Sequence, residues 1–305
     1  MMLGFLSTVV WGVLLASTGH AAALPALQTR AVTPLSSVDL SALAPFTRFA
    51  GAAYCGLDTI TAWSCTACKS ISGFKPTLVG GDGNAIQQYF VGPWADQKAV
   101  VVAHEGTDPT QFLSDLTDVN LFTKSLDTTL FPGVSSSVQV HGGFADEHAK
   151  TAPAILAEVK SLLSSTGYTN VFLIGHSLGG ALAELDALFV TLNLPSSVHV
   201  KGVTYGTPRV GNPAWATLFD SKVADFKRVN NEDDPIPIVP GRGLGFQHPH
   251  GEIHILGAGD AVSCPGDDDA TDAQCTISSV PNVFESNLVN HLGPYEGIYV
   301  GTIFC

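Results

Sequence analysis

Basic residues are scarce in this sequence: 14 Lys and Arg stand against 27 Asp and Glu, a formal net charge of −13 at pH 7. No basic stripe is left to neutralise phosphates, which argues against nucleic-acid binding and disfavours acidic partners and anionic membranes. No Pro/Ser-rich linker divides the 305 residues, so one large core is expected rather than two domains. No N-x-Ser/Thr sequon occurs, and N-glycosylation is not expected. Methionine is confined to Met1 and Met2. What the chain does have is apolar content, with 45% hydrophobic and 13% charged residues and a mean hydropathy of +0.26, the composition of a folded protein.

No side chain is charged between Met1 and Gln28, and an apolar stretch from Leu3 to Ala16 leads into Ala21-Ala22-Ala23 and then Leu24-Pro25. This pattern predicts a secretory signal peptide over residues 1–23, cut after Ala23, with residues 24–305 a single secreted domain. The usual basic start is missing, leaving only the α-amino group to supply positive charge. The apolar core is short for a membrane span, which favours cleavage over an anchor. Cysteines lie at 55, 65, 68, 264, 275 and 305. An even count in an exported chain predicts three disulfides, while spacing alone leaves the pairing open. Cys65-Thr66-Ala67-Cys68 sits among Gly, Ser and Thr outside any βαβ pattern, so it reads as structural rather than redox-active. No histidine flanks these cysteines at zinc-ligand spacing.

Strand and helix patterns alternate along the chain. Residues Ala85 to Val91 and Ala99 to Ala103 are β-rich runs with an expected turn at Gly92 to Asp96, and the second is apolar throughout, as a buried strand should be. Ala154 to Leu163 has helical spacing and a Gly167 stop. Val171 to Ile174 reads as a strand and Ala181 to Leu192 as an interior helix, apolar almost all round. Val198 to Tyr205, Ala214 to Val223, Phe226 to Val229 and a last strand at Glu252 to Leu256 continue the alternation. A mostly parallel or mixed sheet covered by helices follows.

The strongest chemical signal is Gly175-His176-Ser177-Leu178-Gly179, a G-x-S-x-G string between an apolar strand and an apolar helix, the setting of a nucleophile elbow. Ser177 is the candidate nucleophile, on a strained turn where side chains at the flanking glycines would collide with the packing. The Leu178 backbone N–H, opening the helix, would face a developing oxyanion. His176 is expected to project away and pack. A serine nucleophile needs a base that an acid orients, and in α/β-hydrolase order both follow it. The loop Asn230 to Pro237 offers Asp233 and Asp234. Asp234 is restricted by the proline that follows it, but spacing does not separate the two. His248 and His250 lie in a Gly/Pro-rich stretch and His254 within a strand, whereas His291, before Gly293-Pro294, would be free to approach Ser177.

GHSLGG, the string DPIPIVP from Asp234 to Pro240, NHLGPY, AAYCG around Cys55 and a terminal cysteine together resemble the fungal class 3 triacylglycerol lipases over Phe46 to Cys305. The resemblance implies an α/β-hydrolase fold, a mostly parallel central sheet flanked by helices, with a short helical lid. It assigns the acid to Asp234 and the base to His291. It implies that Thr107, after Gly106, supplies the second oxyanion donor, although His104 and Glu105 stand where the family commonly has an aromatic or aliphatic residue and Arg. Pro109 to Val119, with Phe112, Leu113, Leu116 and Val119 on one face, falls where the family has its lid. The implied disulfides are Cys55–Cys305, Cys65–Cys68 and Cys264–Cys275. The last would enclose Asp267, Asp268, Asp269 and Asp272, read as a solvated acidic loop rather than a calcium site. Acyl transfer to water is the implied chemistry, on acylglycerols at a lipid interface, with no cofactor, metal or stable protein partner. Feruloyl esterases and mono- or diacylglycerol-specific lipases are near alternatives, and a non-catalytic lipid carrier has no use for an intact triad.

Overall fold

The computed structural model describes residues 31–117, 122–268 and 272–305. The expected signal peptide and its cleavage site, Arg30, Asp118 and Val119 of the amphipathic segment, and Asp269 lie outside these. The strands are β1 (Thr33–Pro34), β2 (Leu78–Gly80), β3 (Tyr89–Trp94), β4 (Ala99–His104), β5 (Thr123–Ser125), β6 (Gln139–His141), β7 (Asn170–His176), β8 (His199–Tyr205), β9 (Asp225–Asn231), β10 (Glu252–Gly257) and β11 (Asp260–Ser263). Nine of them form one sheet in the order β1-β11-β10-β9-β8-β7-β4-β3-β2, while β5 and β6 pair separately. The five strands β4, β7, β8, β9 and β10 are mutually parallel. Antiparallel strands extend both edges, because β3 to β4 and β10 to β11 are joined by connections too short for a crossover helix.

Strand alternation builds two cores. In β4, Val100 and Val102 face the cluster formed with helices Gly142–Thr166, Leu178–Asn193 and Pro213–Lys222. Ala99, Val101 and Ala103 face the opposite cluster, with Phe49 of helix Ala44–Ala52 and Phe90, Phe172 and Tyr205. Both faces are covered, which is why β4 is apolar from Ala99 to Ala103. Helix Leu178–Asn193 is buried without a break from Gly179 to Val190.

Two local readings change. Gly92 and Pro93 belong to β3, and the turn is the 3-10 segment Ala95–Gln97. A side chain at Gly92 would run into the Pro76 backbone at 2.8 Å, so the glycine marks a close crossing rather than a turn. The helix expected from Ala154 begins at Gly142 and runs 25 residues with Pro153 inside it. Its polar first turns carry no local helical signal, but Phe144, His148 and Ala152 are buried and tertiary packing prevails. It ends at Gly167, at φ +73°, as expected.

The disulfides are Cys55–Cys305, Cys65–Cys68 and Cys264–Cys275, the pairing the resemblance implied. In the loop closed by the last, Asp268 is anchored rather than solvated. Asp268 is buried against Arg209, whose Nη2 donates to Oδ1 at 3.1 Å and whose Nη1 donates to the Pro240 carbonyl at 2.9 Å.

Candidate active site

Ser177 occupies the turn between β7 and helix Leu178–Asn193 with φ 60° and ψ −128°, a conformation that L-residues avoid unless the surroundings enforce it. A Cβ on Gly179 would approach the Glu105 carbonyl to 2.6 Å, and one on Gly175 would reach the Gly180 nitrogen at 2.8 Å. The two glycines are therefore dictated by backbone closing on both sides. The Ser177 N–H donates to the Tyr205 carbonyl at 3.0 Å, fixing the elbow to β8. Its Oγ is buried and has no partner.

His291 lies on the 3-10 turn Leu288–Leu292. Its Nδ1 is 2.8 Å from Asp234 Oδ2, and both side chains are wholly buried. Asp234 Oδ1 accepts the Ile236 N–H at 2.8 Å, so the carboxylate is oriented from its own loop. Asp233 is exposed and joins only through its carbonyl, which accepts the Asn287 N–H at 2.9 Å. Of the two carboxylates, Asp234 is therefore the one beside His291. With Nδ1–H donating to Asp234, His291 Nε2 carries the lone pair, and it too is buried without a partner. Gly206, at φ +52°, makes room, since a Cβ there would sit 2.6 Å from His291 Cε1 and 2.9 Å from Asp234 Oδ2.

The turn after β4 packs against the elbow. A Cβ on Gly106 would lie 2.9 Å from Ser177 Cβ, which places Thr107 one residue from contact with the serine. Gln87 Nε2 holds the turn by donating to the Gly106 carbonyl at 2.7 Å. The first N–H groups of helix Leu178–Asn193 open at the same place, as those of any helix start do. Glu105 is largely buried beside them, and burial pushes its carboxyl up to about 7.

His176 does not merely pack. Its Nε2 is 2.7 Å from the His291 carbonyl and its Nδ1 is 2.7 Å from the Tyr54 hydroxyl. A carbonyl only accepts, so Nε2 carries the proton and Tyr54 O–H donates to Nδ1. Burial, and then the charge of His291, hold this imidazole well below its ordinary pKa, which keeps it neutral in that tautomer. Tyr295 O–H donates to the same carbonyl at 3.1 Å. Nothing in the sequence signalled this relay, because Tyr54 and His176 are 122 residues apart.

His104 has another partner than the serine. Asp186 accepts from His104 Nε2 at 2.7 Å and from His148 Nε2 at 2.9 Å, all three side chains being buried. The two histidines hold the carboxyl of Asp186 down at about 2 against the opposing effect of its own burial. His248, His250 and His254 are occupied by the Pro237 carbonyl, by Asp220, and by the Gln274 and Glu232 carbonyls respectively.

Helix Pro109–Thr117 starts on Asp108, whose Oδ1 accepts the Thr110 N–H at 2.9 Å. Phe112 and Leu116 are buried, and Leu113 packs partly against the same hydrophobic cluster. The helix also packs against the His291 turn.

A class 3 lipase family model matches residues 101–244. The chain is 34% identical over 179 residues to a secreted mono- and diacylglycerol lipase of Malassezia globosa, an alignment covering 58% of each protein. It is 29% identical over 265 residues to a lipase of Rhizopus niveus, covering 82% of this chain and 63% of that one. The chain thus spans little more than half the length of the first curated relatives it matches. Among solved structures, the native propeptide complex of Rhizomucor miehei lipase superposes with a TM-score of 0.75 at 26% identity, over 95% of this chain and 91% of that one. A lipase of Rhizopus microsporus var. chinensis gives 0.74 at 27% identity, over 90% and 92%.

Proposed function

Because the chain belongs to the class 3 lipase family, we propose that it is a secreted carboxylic-ester hydrolase that releases fatty acids from acylglycerols at a lipid–water interface. Ser177 is the nucleophile, His291 the base and Asp234 the acid that orients it. The observation that carries this reading is the buried His291, with Nδ1 pinned to Asp234 and Nε2 unpartnered in the same site as the unpartnered Ser177 hydroxyl.

Ser177 Oγ attacks the ester carbonyl while His291 Nε2 takes its proton. We assign the hydrogen bonds to the tetrahedral oxyanion to the backbone N–H groups of Leu178 and Thr107, a reading supported by the packing of Gly106 against the elbow. His291 then passes the proton to the leaving glycerol oxygen, and Asp234 stabilises the imidazolium in between. Water repeats the sequence on the acyl-enzyme and frees the fatty acid. The scheme draws on no cofactor or metal.

Ser177 is fully buried in this state, and helix Pro109–Thr117 packs against the His291 turn. We read that helix as a lid, with Phe112, Leu113 and Leu116 facing the core in water. At a lipid surface the same side chains turn into lipid, so opening exposes less apolar area to water.

Partial glycerides are the second reading of the substrate, because Malassezia enzymes named for mono- and diacylglycerols, 27–35% identical over their aligned spans, stand among the relatives beside the Rhizopus lipases at 29%. Titrating the fatty acid released from emulsified tri-, di- and monoacylglycerols, alongside Ser177→Ala, tests the proposal and ranks the three. Ser177-dependent release is expected. No release by folded protein, with feruloyl esters cleaved instead, overturns it in favour of a feruloyl esterase.

A further inference from the structure

Next to His291 the chain presents apolar side chains to water on a segment that is firmly tied down. Asn282 Oδ1 accepts the Phe284 N–H at 2.9 Å and the Glu285 N–H at 3.1 Å. Asn287 Oδ1 accepts the Val289 N–H at 3.1 Å, and the Asn287 N–H is held by the Asp233 carbonyl. Asn290 Nδ2 donates to Glu232 Oε2 at 2.9 Å, and its carbonyl accepts from Asn231 Nδ2 at 2.9 Å. Val283 and Leu288 point inward, onto the cluster that also takes Phe112 and Leu116. Their neighbours Phe284 and Val289 point outward and are 94% and 66% exposed.

Single exposed apolar residues are ordinary, but here two stand on one pinned segment near the proposed lid, each directly after an inward-packed residue. The charge around them selects the partner. Glu285 is the one carboxylate or ammonium group between Thr276 and Leu292, and no Lys or Arg occurs from Gly243 to Cys305. With −13 on the whole chain and no cation in this stretch of sequence, an anionic lipid is disfavoured.

We infer that Phe284 and Val289 form a fixed anchor that docks onto an electrically neutral lipid surface, and that this docking needs no movement of helix Pro109–Thr117. The inference rests on the lipase reading above for its partner. The anchor brings the mouth of the site to the lipid before the lid opens, so adsorption and lid opening are separate steps with separate residues.

The test is partition of the full chain onto phosphatidylcholine vesicles, and onto vesicles containing phosphatidylglycerol, measured without turnover in the Ser177→Ala background. Phe284→Ser with Val289→Ser is expected to lower partition onto phosphatidylcholine by about tenfold or more. With Ser177 intact, the same pair should leave cleavage of soluble p-nitrophenyl butyrate within about twofold, which shows the fold is kept. Phe284→Trp should retain binding and show blue-shifted emission on the vesicles. Undiminished partition in the double variant, tryptophan emission that does not shift, or tighter binding to phosphatidylglycerol vesicles would each overturn the anchor. Because binding is read without fatty-acid release, failure of the anchor is distinguishable from failure of the lipase assignment.

Discussion

Tyr54→Phe probes the relay that seats His291. The Tyr54 hydroxyl donates to His176 Nδ1 at 2.7 Å and is also bonded by the Gly106 backbone, while His176 Nε2–H reaches the His291 carbonyl at 2.7 Å. Removing one oxygen leaves a buried imidazole acceptor and the Gly106 N–H without their partner. A stranded buried group costs about 1–3 kcal/mol. In a chain of this size 1 kcal/mol moves the melting temperature by roughly 2–4 °C, so a drop of about 2–10 °C is expected in a thermal melt. The His291 carbonyl keeps its bond from Tyr295 O–H, so the ring is loosened rather than released. We expect kcat on a soluble ester to fall by about threefold to thirtyfold, far less than for loss of a reacting group. Because Tyr54 is buried and acts through His176, the loss should fall on kcat. A Tyr54→Phe protein that melts within about 1 °C of the parent and keeps its kcat would refute the relay.

Glu105 titrates at about 7 beside the proposed oxyanion turn. Its ionisation above that pH places negative charge near the developing oxyanion, so kcat on a soluble ester should decline on the alkaline side and Glu105→Gln should flatten the decline. An unchanged alkaline limb in the variant counts against it. Glu184 is fully buried on Trp215 Nε1 and burial pushes its carboxyl up to about 8. A raised carboxyl pKa means that the folded state holds the proton longer than the unfolded state, so stability is full below the unfolded value and is lost as pH rises to about 8. The upper bound of that loss is roughly 5 kcal/mol, and Glu184→Gln, which can still accept from Trp215, should flatten the fall in melting temperature between pH 6 and 9. A parallel fall in both proteins would assign the slope elsewhere. Leu113→Ser with Leu116→Ser should abolish the gain in rate on emulsified substrate while soluble esters are still cleaved. Equal loss on both substrates would remove the lid.

The parts of the site written in local sequence were legible. Ser177 announced itself because the strained turn needs glycine at 175 and 179, and both are forced by neighbouring backbone. The alternation of buried strands and helices was readable because the run Ala99–Ala103 of β4 and most of helix Leu178–Asn193 are apolar, with His104, Glu184 and Asp186 the buried polar exceptions. Asp233 and Asp234 were not separable from spacing, and what distinguishes them is burial beside His291. Thr107 carried no signal of its own. The contacts that span the chain were invisible: Tyr54 with His176, His104 and His148 on Asp186, and Arg209 on Asp268. Periodicity reports on neighbours a few residues apart, and these pairs are brought together only by the sheet order. The early start of helix Gly142–Thr166 was hidden for a related reason, as its first turns are polar and held by packing.

Labelling with a fluorophosphonate tests the central claim most directly. The account predicts one adduct per chain, on the peptide containing Ser177, with ester hydrolysis lost in proportion to labelling. Ser177→Ala should take no label, and His291→Ala should be labelled about a thousandfold more slowly. An adduct on another residue, or a fully labelled protein that still hydrolyses ester, would contradict it.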